Sequence, residues 1–318
     1  MPAYFDQGFS VREPAWHGLA VVLDDYPGRE EAMRLAGHNW RVLEQPVFTA
    51  PMSEGIDGYK ALVREDTKKV LSVVNDSYRV IQNETLWDII DAIMEQERVK
   101  YETAGVLRDG GVTWVMARLN EPSQVPGDDS AIYPYILVSN SHDGTAAARA
   151  HAVSVRVVCW NTFTAAEAQS KSSGLRYTFR HTRNVMERID EAKQALAVTR
   201  HEHEEFMQLA RDLAEIKVNS DDVKVFLERF FPMPPEDVTS ERHKRNILDA
   251  RRQVDDILGG ETIPKAHKRT AYGLWQAGIE YLDHYRRANT PETYFKRGVF
   301  DSTATKKRLA KVAAEVAG

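Results

Sequence analysis

The sequence has a single cysteine, Cys159, no apolar run of eighteen residues, and no low-complexity tract or internal repeat. A lone cysteine excludes an internal disulfide and a cysteine-based zinc site, and it fits a reducing compartment. The missing apolar run leaves no helix to expect across a membrane. The opening MPAYFDQGFSVREP has neither the charged nor the apolar region of a secretory leader, so a cytoplasmic protein is expected. Phosphate-cradling loops are missing too. The Gly-x4-Gly-Lys-Ser/Thr run does not occur, and the glycines at 105–111 fall in a hairpin instead of opening a helix, which argues against nucleotide hydrolysis.

The chain of 318 residues is 42% hydrophobic and 28% charged, the balance of a globular protein large enough for one or two cores. Its net charge of -5 is unevenly spread. Residues 1–150 hold 14 Lys+Arg against 23 Asp+Glu, whereas the remainder holds 28 against 24. From Arg149 to Arg183 there are six Lys/Arg and one acid, Glu167. An acidic protein can present a local basic surface to an anion, and this stretch is the place to expect it.

Turn and cap residues divide the chain. A helix over Gly28–Ala36 is stopped by Gly37, and Arg41–Thr49, Tyr59–Arg64 and Lys69–Asn75 read as extended segments, the last two as a hairpin. Asn83 reads as the cap of an amphipathic helix with Leu86, Ile89, Ile90 and Ile93 on one face. Two alternating runs then flank Asp109-Gly110-Gly111, a strong hairpin signal. AIYPYILVSN, the turn SHDGT and AAARAHAVSVRVVCW complete about four consecutive antiparallel strands. Asn161 reads as the cap of a following helix, TFTAAEAQSK. Beyond about residue 181 the pattern is helical: one long helix over 184–216, then 221–231, 240–258, 266–288 and 303–316. The fold expected is α+β, an antiparallel sheet with packed helices over 1–180 followed by a helical part over 181–318.

Ser141-His142-Asp143 tempts a catalytic reading, but chain neighbours cannot adopt triad geometry among themselves, and SHDG makes a good hairpin turn. Cys159 could be a nucleophile with His142 or His151 as base, yet in VSVRVVCW it reads as a small core residue. The histidines of HEHEE at 201–205 are two apart, on different helix faces, so a metal site is not expected there and the run reads as a solvated face. No cofactor and no complete catalytic motif is expected. LRYTFRHTR interleaves Arg176, Arg180 and Arg183 with Tyr177, Phe179 and His181. Cations that track phosphates and aromatic rings that stack on bases are how single strands are held. An edge strand with solvated arginines and core-facing aromatics has the same alternation. Free N–H groups at a helix start at Asn161 would add a phosphate contact.

The segment SNSHDGTAAARAHAVSVRVVCWNTF, together with Trp16-His17-Gly18-Leu19, NDSYRVIQNE, YETAGVLRDGG, HTRNVMERIDEA, KRTAYGLWQAGIEYLDH and KKRLAKVA, resembles the phage and plasmid-borne family catalogued as domain of unknown function 932. More distantly, strands followed by a helix in a mobile-element protein are similar to the core of phage single-strand annealing proteins of the Redβ and Erf type. That resemblance implies a non-enzymatic, ATP-independent protein of a bacterial host cell's cytoplasm that binds single-stranded DNA, assembles into rings or filaments, and touches no membrane. Arg149, Arg156, Lys171, Arg176 and Arg180 would then carry phosphates, Tyr177 and His181 would stack or clamp, His151 would belong to the same nucleic-acid-binding set, and Asn140, His142, Asp143 and Asn161 would shape the adjoining turn. Two other readings stay open: a metal-dependent enzyme acting on nucleic acid or a nucleotide with His142, Asp143 and Asn161 converging, and a non-enzymatic phage protein that binds a host factor.

Overall fold

The computed structural model describes residues 5–12, 20–51, 54–94, 99–119, 121–156, 161–163, 176–196, 200–235, 240–286 and 303–316. Trp16–Leu19, Cys159, Lys171 and the expected helix after Phe163 lie outside them. The protein is α+β, with antiparallel sheets in its N-terminal half and helices in its C-terminal part. The chain forms two compact units, the first from 1–120, 135–152 and 173–200 and the second from 121–134, 153–172 and 201–318. Two strands thread both units, so the division does not follow a single cut at residue 180.

In chain order the elements are β1 (Phe5–Val11), β2 (Val21–Leu23), α1 (Arg29–Leu35), β3 (Val42–Phe48), β4 (Gly55–Arg64), β5 (Val70–Asn75) and α2 (Asn83–Ile93). Strands β6 (Lys100–Leu107), β7 (Val112–Arg118), β8 (Ile132–Ser141), β9 (Ala148–Arg156), β10 (Asn161–Phe163) and β11 (Arg176–Phe179) follow. The larger sheet runs β10-β9-β8-β7-β6-β1-β2 with β11 also on β9, and β3-β4-β5 form a separate three-stranded sheet. The β6–β7 hairpin turns where expected: Arg108, Asp109 and Gly110 all have positive φ, and at Gly110 a Cβ would sit 3.1 Å from the Trp40 ring and the Arg64 side chain.

The first unit's core lies between the larger sheet and the helices. Phe9, Ala104, Val115, Ala117, Ile136, Val138, Ala148 and Ala150 of the strands pack with Leu86, Trp87, Ile89 and Ile90 of α2. Val185 and Ile189 of α3 (Val185–Leu196) join the same core. Alternation in the strands and 3–4 spacing in the helices place these residues on the inner faces, where each fully buried aliphatic side chain contributes roughly 1.5–3 kcal/mol. Asn83 is the first helical residue of α2, not its cap; the cap position is Gln82. The amide of Asn83 is drawn inward instead, as described below.

The second unit packs α4 (Arg200–Glu215), α5 (Ser220–Phe230), α6 (Glu241–Gly259), α7 (Ala271–Glu280), a π-turn over Tyr281–Tyr285, and α8 (Thr303–Glu315). Phe206, Phe226, Val254, Tyr272, Trp275, Ile279 and Leu309 are its centre. The single helix expected over 184–216 is two, α3 ending at Leu196 and α4 starting at Arg200, in different units. The helix expected to start at 266 is a 3₁₀ turn over Lys265–His267 followed by α7, which Thr270 caps through Gly273 N–H.

Candidate functional site

The expected DNA-contacting stretch folds into a two-stranded edge of the first unit. β11 runs antiparallel to β9, with Arg176 opposite His151, Tyr177 opposite Ala150, Thr178 opposite Arg149 and Phe179 opposite Ala148. Register alternation sorts the pairs. Ala148, Ala150 and Phe179 are buried in the core, and Tyr177 packs against it partly buried, stacked on Phe179. The Arg149–Thr178 pair falls at the alternate positions, with Thr178 exposed and Arg149 half-buried. Just past β11, Arg180 and Arg183 are exposed. The pairing thus brings two basic segments, about 25 residues apart, to one edge with no acidic residue in either strand.

His181 turns inward. Its ring is buried and stacks on Tyr78 at 4.3 Å between centroids, nearly parallel. Its Nδ1–H donates to the Arg79 carbonyl at 2.8 Å, and its own carbonyl accepts from Arg79 N–H at 2.9 Å. Burial holds its pKa below the usual histidine range, against the opposing pull of the Arg79 carbonyl. His181 therefore docks the loop before α2 and does not offer a ring to a base. That docking brings in a residue the sequence pattern gave no reason to single out, the exposed Arg79.

The SHDG turn splits its two titratable groups. Ser141 Oγ–H donates to Asp143 Oδ1 at 2.6 Å, and the same carboxylate accepts from Thr145 N–H and from Arg108 at 2.8 Å. Burial alone would raise the Asp143 pKa, but bonds from Ser141, Thr145 and Arg108 outweigh it and the net shift is downward. His142 points the other way. Asn83 Nδ2 donates to the Trp40 and His38 carbonyls, which fixes its amide so that Oδ1 accepts from His142 Nε2–H at 2.8 Å. The His142 Nδ1 lone pair is buried and unbonded among the described residues. Beside it, Trp87 Nε1–H donates to His38 Nδ1 and His38 Nε2–H donates to the Gly105 carbonyl. Burial drives His142 down to about 3, with His181 and His38 adding to the shift and Asp143 opposing it; His38 falls to about 4. Both rings are neutral at pH 7. Asn140 completes this layer by donating to the Ile81 carbonyl. These residues shape the turn, but Ser141, His142 and Asp143 form no proton relay.

Two expected contacts lie in the second unit and are corrected there. Arg156 is fully buried: Nε and Nη2 pair with Asp128 at 2.8 and 3.1 Å, Nη2 also reaches Ser130 Oγ, and Nη1 donates to the Thr262 carbonyl. Tyr272 O–H donates to the same carboxylate at 3.0 Å. This guanidinium is spent inside the unit and is not presented to a phosphate. Asn161 caps no helix; Asn161–Phe163 pair antiparallel with Arg156–Ser154, as suits the β-forming Thr162 and Phe163. The HEHEE run is not simply solvated either, since half-buried His203 hydrogen-bonds Ser154 Oγ and Ser123 Oγ. Among the described residues no group of three or more His, Cys, Asp or Glu could hold a metal ion, and no helix is long and apolar enough to cross a membrane.

Residues 70–311 match the family described as Domain of unknown function (DUF932). The chain belongs to that family. No curated protein and no solved structure matches the chain. The DUF932 region runs from β5 into α8, so it takes in the β9–β11 edge, the turn around His142, Arg79 and the buried Arg156. Trp16–Leu19 fall before it.

Proposed function

We propose that this DUF932 protein binds single-stranded DNA along the β9–β11 edge and pairs complementary strands without ATP. The observation that carries this reading is the antiparallel pairing of β11 with β9, which gathers Arg149, Arg176 and, one residue beyond the strand, Arg180, together with His151, on two strands that contain no acidic residue. Cations spaced along a strand match the repeat of a phosphodiester chain, and their contacts with phosphates are indifferent to base sequence, as annealing requires. Tyr177 packs on the core side of the same strand, stacked on Phe179, so the contacts proposed here are to phosphates and not base stacking on Tyr177. The acidic N-terminal half supplies a counter-surface for a neighbour's basic edge, which supports assembly into a homo-oligomeric ring or filament.

The test is anisotropy of a labelled single-stranded oligonucleotide, with ATP-free annealing of complementary strands as a second readout. The Arg176→Ala/Arg180→Ala double variant loses binding and annealing together. A wild-type protein that binds no oligonucleotide at low salt ends the proposal.

A further inference from the structure

Arg79 reaches the edge from a segment a hundred residues upstream, and the way it is held is unusual for a loop. Its backbone is bonded on both sides to His181, through Arg79 N–H to the His181 carbonyl and from His181 Nδ1–H to the Arg79 carbonyl. The preceding Tyr78 stacks on that imidazole, and its hydroxyl donates to the Ser141 carbonyl at 3.3 Å. On the other side a tight turn, Thr182 N–H to the Arg180 carbonyl at 2.7 Å and Val185 N–H to the Thr182 carbonyl at 3.0 Å, folds Arg180 and Arg183 around His181. Three arginines are thereby set about one buried histidine.

All three are exposed, and among the described residues none has a carboxylate partner. Other arginines of the same unit do have one: Arg29 sits on Asp88 and Asp91, Arg64 on Asp66, and Arg108 on Asp143. Clustered guanidinium groups repel, so a cluster left without carboxylates is stabilised by an anion. Planar guanidinium forks fit phosphate oxygens in pairs. We infer that Arg79, Arg180 and Arg183 form a clamp for adjacent phosphates of a phosphodiester chain. This rests on the nucleic-acid reading above and adds to it a residue from outside the β9–β11 pair.

Arg79→Ala is a clean probe because the hydrogen bonds that hold the loop are made by the Arg79 backbone, so they survive removal of the side chain. Wild type, Arg79→Ala, Arg180→Ala and a control, Arg34→Ala, whose arginine pairs with Glu31 on α1, are compared. Each is titrated with a single-stranded oligonucleotide and with inorganic tripolyphosphate over a range of salt, after circular dichroism has shown the fold intact. Arg79→Ala weakens both probes about fivefold and flattens the oligonucleotide salt slope by roughly 0.7, the share of one phosphate contact on a single strand, while Arg34→Ala changes neither. If Arg180→Ala weakens the oligonucleotide but Arg79→Ala does not, the clamp is wrong and the edge reading stands. If tripolyphosphate binds through Arg79 while the oligonucleotide does not bind, the clamp stands and the nucleic-acid reading falls. If the wild type holds neither probe, both fall.

Discussion

Replacing Arg156 separates a structural arginine from a DNA contact. In Arg156→Met the aliphatic stem is kept while the bidentate partner of Asp128 is lost. The carboxylate, fully buried, keeps Tyr272 O–H at 3.0 Å and Ser130 N–H at 2.9 Å, so it is left partly satisfied and uncompensated in charge. Breaking a buried pair costs about 3–5 kcal/mol, and the two surviving donors put the expected loss near the lower end, about 3 kcal/mol. For a unit of this size that is a fall of roughly 6–12 °C in the melting midpoint. Changing both partners, Asp128→Leu with Arg156→Met, removes the stranded charge and recovers much of the loss. Burial alone would raise the Asp128 pKa, but the bonds and charge of Arg156, with Ser130, hold it below 3.8 in the folded protein. The pair's stabilisation is therefore present above about pH 4 and lost as pH falls through the lower folded value, where wild type and variant converge. Urea denaturation followed by tryptophan fluorescence reads this, Trp275 being in the second unit's core. A variant within about 1 kcal/mol of wild type whose oligonucleotide affinity nevertheless collapses would refute the structural role.

Three further outcomes are expected. His38 and His142 have folded pKa values depressed to about 4 and about 3, so the unfolded chain takes up protons first, and each histidine costs roughly 2 kcal/mol of stability between pH 7 and pH 5; stability constant over that range contradicts their burial as neutral rings. Gly110→Ala forces an alanine to φ +104 with its Cβ against Trp40 and Arg64, at a cost of about 1–3 kcal/mol in thermal unfolding, whereas Gly144→Ala, also at positive φ but with open space around it, costs about 1 kcal/mol. Gly273→Ala places a Cβ 1.9 Å from the His267 carbonyl oxygen, so the start of α7 must move, and soluble expression or melting shows a loss of about 3 kcal/mol or more.

Much of the fold was legible because the signals were local. Gly37 ends α1 in the left-handed region, Asp109-Gly110 turns the β6–β7 hairpin, and Asn219 and Ser240 cap α5 and α6. The misreadings involve partners distant in sequence. Asn83 looked like a cap because its type favours that position, but its amide is used by Trp40, His38 and His142. Asn161 looked like another, but the open side of β9 pairs with it instead. Arg156 was expected to carry a phosphate with its basic neighbours; nothing local marked Asp128, 28 residues earlier in a Pro-Gly loop, or Tyr272, 116 residues later, as the groups that bury it. Arg79 was missed for the same reason, since its link to His181 spans 102 residues.

Binding of a labelled single-stranded oligonucleotide by the wild-type protein, measured as a function of salt, tests the central claim most directly. With Arg149, Arg176 and Arg180 at the edge and Arg79 and Arg183 beside it, four or five phosphate contacts predict a plot of log K against log salt with a slope of about -3. No binding at 50 mM salt, or binding that does not change with salt, would contradict the account.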